Sequence, residues 1–83
     1  METPEWLRRR GGELRRGLSE ETWLVLLGGQ PQYKLFATPA RGKYTCVVTR
    51  TVSGRRLDDQ RIYPTLEEAL RGGLEELRQK LGW

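Results

Sequence analysis

The last nineteen residues constrain the fold most. Thr65 is followed three residues on by Glu68, a capping box in which hydroxyl and carboxylate each take an orphan N–H at a helix start. Pro64 ends the preceding segment and Gly82 supplies a left-handed stop, so the sequence predicts a helix over Leu66 to Leu81. Leu66, Ala69, Leu70, Gly73, Leu74, Leu77 and Leu81 recur at helical spacing, with Glu67, Arg71, Glu75 and Arg78 elsewhere on the wheel. Such a one-sided helix must bury its apolar face on something. The Gly72-Gly73 pair costs about 1 kcal/mol per residue relative to alanine. Gly73 lies on the apolar stripe, where it lets the helix backbone come close to a sheet or another helix.

The residues before Pro64 supply that sheet. From Tyr33 to Tyr63 the texture is β-branched and aromatic, interrupted by turn residues. Tyr33 to Thr38 reads as one strand, Pro39-Ala40-Arg41-Gly42 as a turn, and Lys43 to Val52 as a second strand. Ser53-Gly54 reads as a tight turn and Arg56 to Tyr63 as a third strand, completing an antiparallel meander. In the second strand Tyr44, Cys46 and Val48 share the face expected to meet the helix, and Thr45, Val47, Thr49 and Thr51 share the other.

Toward the N-terminus, Thr3 before Pro4 reads as a cap and first helical residue, and Leu7, Gly11, Leu14 and Leu18 form a narrow apolar stripe. A basic helix over residues 1–18 is the expectation, weakened by Gly11-Gly12 and in need of a surface to pack on. Ser19 to Leu27 stays open between two forms. Ser19, Glu20 and Glu21 look like a helix start and Gly28-Gly29 like its stop, yet Trp23 to Leu27 has the texture of a buried strand.

With 83 residues the chain is expected to be a single α+β domain, 1–83: a three- or four-stranded antiparallel meander, the C-terminal helix across one face, and the Arg-rich N-terminal helix alongside. A core of this size is marginal alone. A homodimer is therefore expected, with Trp6, Trp23 and Trp83 as candidate interface residues. The longest apolar run has five residues against the roughly 20 of a membrane span, and arginines interrupt any signal-like stretch, so a cytoplasmic protein without membrane contact is expected. A lone Cys46 agrees with a reducing compartment.

Catalysis finds little to work with. The absence of histidine removes the commonest general base and transition-metal ligand. Cys46 falls mid-strand on the core face, the place of an inert thiol. Asp58 and Asp59, as strand neighbours, point to opposite faces and cannot share one ion. Neither glycine pair has phosphate-loop spacing. No enzyme, metal or cofactor is expected.

Charge carries the functional expectation. Of fifteen cations twelve are arginine, and the net +4 is distributed as +2 over residues 1–18, +3 over 19–64 and −1 over 65–83. A polyanion would dock away from the last segment. Arg8, Arg9, Arg15 and Arg16 on an amphipathic helix, with Arg41, Lys43, Arg55 and Arg56 from the loops, are the candidate nucleic-acid contacts. On a helix Arg8 and Arg15 would flank the leucine stripe while Arg9 and Arg16 would face away, spreading the charge. A non-enzymatic RNA or DNA binder is the first expectation, a protein-interaction or oligomerisation module the alternative.

Ser19 to Leu81 resembles a double-stranded RNA-binding domain: a first helix, Pro31-Gln32-Tyr33 entering the first strand, Gly42 and Gly54 at hairpin turns, and a closing helix from Thr65 with Glu68-Ala69. The resemblance implies an α-β-β-β-α order and RNA gripped by the first helix, a hairpin loop and lysines opening the last helix. This chain carries Glu67 and Glu68 where those lysines belong, which repels phosphate there. The same tail, Thr65-Leu66-Glu67-Glu68-Ala69-Leu70 after a sheet, is also similar to HicB-type antitoxin domains, which implies protein binding.

Overall fold

The structure, a computed structural model, describes residues 1–83. The chain runs α1 (Glu5–Arg8), β1 (Gly12–Arg16), β2 (Thr22–Leu27), β3 (Gln30–Ala40), β4 (Lys43–Arg50), β5 (Ile62–Tyr63) and α2 (Leu66–Leu81). The five strands form one antiparallel meander in chain order, and α2 lies across one face against β3, β4 and β5. The α+β class and the closing helix agree with the sequence reading. Thr65 accepts the Glu68 N–H at 3.1 Å and Gly82 stops the helix.

The sheet has five strands rather than three or four, because two segments expected otherwise are extended. The basic helix over 1–18 is corrected to a four-residue α1 and a strand. Gly11, at φ 70, turns the chain out of the helix into β1, where Leu14 pairs with Val25. Of the expected Arg-rich helix only Arg8 lies within α1, and Arg15 and Arg16 are strand residues. The ambiguous stretch resolves to strand, since Thr22–Leu27 is hydrogen-bonded on both edges, to β1 and to β3. A strand therefore stands where the RNA-binding resemblance implies a first helix.

The third expected strand, Arg56 to Tyr63, is mostly not one. Thr49 and Arg56 make a single bridge, and ladder pairing resumes only at Ile62 and Tyr63. In between, the Asp58 carboxylate accepts the Val48 N–H at 3.0 Å, a side chain standing in for a strand carbonyl. Residues 57–61 thus form a strap along β4, not a strand.

Inward-facing side chains alternate as the β4 pattern predicts. Leu14, Trp23, Val25, Tyr33, Leu35, Ala37, Cys46 and Val48 meet Ala69, Leu70, Leu74 and Leu77 of α2, and Leu7 of α1 closes one end of this cluster. Trp23 is a core residue, while Trp6 and Trp83 pack on each other with ring centroids 6.3 Å apart. The three candidate interface tryptophans all have neighbours within the chain. No helix is long and apolar enough to cross a membrane.

Candidate nucleic-acid interface

With α2 covering one face of the sheet, period-two alternation assigns the remaining side chains to the other. The strand register then decides which of them are neighbours. Arg15 lies opposite Leu24, Leu24 opposite Lys34, Lys34 opposite Thr49, and Thr49 opposite Arg56. This row crosses the sheet and sets cations two strands apart, at intervals of about 10 Å. The next row holds Thr22, Phe36 and Val47, and the one after it Thr38, Thr45 and Ile62. Phe36 is 39% exposed and Ile62 41%, and the Lys34 ammonium lies 5.9 Å from the Phe36 ring centroid. Lys43 opens β4 on the same face, beside the hairpin residues Arg41 and Gly42.

Both sides carry cations, with Arg71, Arg78 and Lys80 on α2, and the two sides differ in their acids. The acids paired with cations of this row are Glu13, 3.3 Å from Arg15, and Asp58, 2.8 Å from Arg56. The Asp58 side chain is fully buried. Burial pushes its carboxyl up, but the bonds from Arg56 and the Val48 N–H outweigh it and hold the group below the usual carboxylate range. Asp58 therefore stays ionised and fixes the Arg56 guanidinium beside the sheet. Lys34, Arg41 and Lys43 make no ion pair. The carboxylates of Glu67, Glu68, Glu75 and Glu76 all belong to α2, across the sheet from this row.

Of the eight cations singled out in the sequence, the outer face brings together Arg15, Arg41, Lys43 and Arg56. The others lie elsewhere. Arg8 and Arg9 share the Glu5 carboxylate at 3.9 and 3.5 Å. Arg16 turns to the helix side, its guanidinium 5.8 Å from the Trp23 ring, and Arg55 follows the turn after β4. Lys34 was missed, although it sits at the centre of the row. The signal was available in the alternation of β3, where Tyr33, Leu35 and Ala37 are buried and Lys34 and Phe36 are exposed.

Behind the sheet a second polar group is structural. Glu76, 3% exposed, accepts the Asp59 N–H at 2.6 Å and the Tyr63 hydroxyl at 2.6 Å. Burial, then the Glu76 carboxylate, pushes the Tyr63 phenol above its ordinary value. Burial, then the charge of Glu76, pushes the Cys46 thiol up to about 12. Near neutrality this leaves the thiol protonated and far less reactive than an exposed one. Iodoacetamide is accordingly expected to modify Cys46 only at the rate at which the chain opens, with labelling rising through a urea transition. Rapid labelling of the folded protein would contradict this burial. Comparison with known proteins finds no matching family, curated relative or solved structure, so the functional reading rests on the geometry of the outer sheet face.

Proposed function

We propose that this protein is a non-enzymatic binding module that takes single-stranded nucleic acid across the outer face of its sheet. The observation that carries the reading is the row Arg15, Lys34 and Arg56, aligned by strand register beside the exposed Phe36 ring, with α2, of net charge −1, on the opposite side. Phosphates are held by such cations through counterion release. Unpaired bases lie on aromatic side chains of a sheet, a contact that a duplex, with its bases stacked inside, does not offer. The five-stranded face is also too broad for a major groove, which admits a helix or a two-stranded ribbon. The duplex grip implied by the RNA-binding resemblance lacks its helix here, since residues 22–27 are a strand.

Fluorescence anisotropy with a labelled single-stranded oligonucleotide tests this directly. With each of the three row cations neutralising one phosphate, affinity is expected to fall about twentyfold between 50 and 200 mM salt. Lys34→Glu is expected to weaken binding about tenfold or more and to flatten the salt slope. Phe36→Ala is expected to cost about tenfold with little change in slope, because a stacked base carries no charge. Arg9→Glu, remote from the face, serves as the control. If Lys34→Glu and Phe36→Ala bind like the parent, the reading fails. Self-association lost in Phe36→Ala and insensitive to salt would instead make this face a protein interface.

A further inference from the structure

At one end of the outer face the β3–β4 hairpin and the 57–61 strap enclose a shallow depression of about 280 Å³, lined by Ala40, Arg41, Thr45, Arg56, Gln60 and Ile62. Two guanidinium groups line it and no carboxylate does. Arg56 gives Nε and Nη2 to Asp58, which leaves Nη1 without a partner in the chain. Arg41 makes no ion pair. The Thr45 hydroxyl already donates to the Arg61 carbonyl at 2.7 Å, so the donors left for a ligand are the two arginines and the Gln60 amide. Arg41 and Gln60 are also the two non-glycine residues with positive φ, at 51° and 59°, so both flanks of the depression are shaped by left-handed backbone.

Resting on the reading of this face as a single-strand platform, we propose that the depression receives the terminal phosphate monoester of the bound strand. The row of cations ends at Arg56, which also lines the depression, so the depression adjoins the end of the row between strap and hairpin, a position that suits a chain end. A monoester carries close to two negative charges and three free oxygens, whereas an internal diester carries one charge. The unpaired Arg41 guanidinium, the free Nη1 of Arg56 and the Gln60 amide line one depression and together answer the former. From Arg15 to Arg56 the row spans four strand spacings, about 19 Å, the length of roughly six stacked nucleotides.

The test compares three internally labelled oligonucleotides of one sequence, with a 5′-phosphate, a 3′-phosphate or hydroxyls at both ends, on the parent and on Arg41→Asn. The substitution removes the guanidinium and keeps the hairpin, because asparagine before Gly42 is a favoured pair for a two-residue turn with both φ positive. One phosphorylated form is expected to bind the parent about tenfold more tightly than the hydroxyl-ended strand, and which form does so sets the strand's direction. In Arg41→Asn that gain is expected to vanish, so that all three strands bind alike, while the hydroxyl-ended strand loses only the few-fold share of one cation on the face. Equal binding of all three by the parent would overturn the inference and leave the platform standing. So would a gain that persists in Arg41→Asn, or an equal loss for every strand, which would make Arg41 an internal phosphodiester contact. If no strand binds, platform and end site fall together.

Discussion

Glu76→Ala is expected to lower the stability of the fold by about 3 kcal/mol, a large share of what a domain of this size has. One carboxylate of α2 holds two other parts of the chain, the strap through the Asp59 N–H and β5 through the Tyr63 hydroxyl. Removing it leaves both donors without their acceptor in a partly buried site, and each such group costs about 1–3 kcal/mol where water does not replace it. Urea unfolding followed by circular dichroism measures the loss. Tyr63→Phe, which leaves the Asp59 bond intact, is expected to cost about 1 kcal/mol. Glu75→Ala, its exposed neighbour paired with Arg78 at 3.4 Å, is expected to stay within about 0.5 kcal/mol. If Glu76→Ala melts like Glu75→Ala, the carboxylate is not the tether described here. The strap carries Gln60, so the same substitution is expected to blunt discrimination of phosphorylated ends on the far side of the sheet.

Gly73→Ala is expected to destabilise by about 2 kcal/mol, against the sign that helix propensity alone assigns. On an exposed helix face alanine would stabilise by about 1 kcal/mol. Here a Cβ on Gly73 would meet the Cys46 side chain, with the Cys46 Cβ only 2.7 Å away and the Sγ atom in contact as well. Backbone-borne atoms on β4 cannot move aside without shifting the strand. Adding Cys46→Ala removes the sulfur and leaves the Cβ, so the double variant is expected to recover part of the loss and not all of it. Stabilisation of the single variant would mean that α2 and β4 are further apart than described. The close approach also shields Cys46, which is 1% exposed beneath Gly73.

The elements legible in the sequence are those whose signals are local. The capping box at Thr65 and Glu68, the leucine stripe and Gly82 bound α2 without reference to anything else. Turn residues and alternation locate the β3–β4 hairpin and turn Cys46 and Val48 inward. The N-terminal segment misleads because Leu7 and Leu14 are seven residues apart, two helical turns, yet reach one core from two elements joined at Gly11. Periodicity cannot separate one helix carrying both from a helix and a strand carrying one each. Strand texture from Arg56 to Tyr63 misleads for another reason, because the Asp58 side chain occupies the hydrogen-bonding place of a backbone carbonyl.

The candidate site was half legible. Arg15, Arg41, Lys43 and Arg56 stand out as cations in the chain, and Lys34 only once the inner face of β3 is known. Composition and local pattern determine by themselves that a one-sided helix closes an α+β fold and that the net positive charge comes from outside that helix, since capping, periodicity and charge are properties of neighbouring residues. Which cations stand together was decided by the tertiary structure alone. Arg15, Lys34 and Arg56 are 19 and 22 residues apart in sequence and become a row only through the register of five paired strands. Register is set by hydrogen bonds between distant backbones and by the bulge at Val25/Leu26, and a shift of one residue would have turned the same charges into the core.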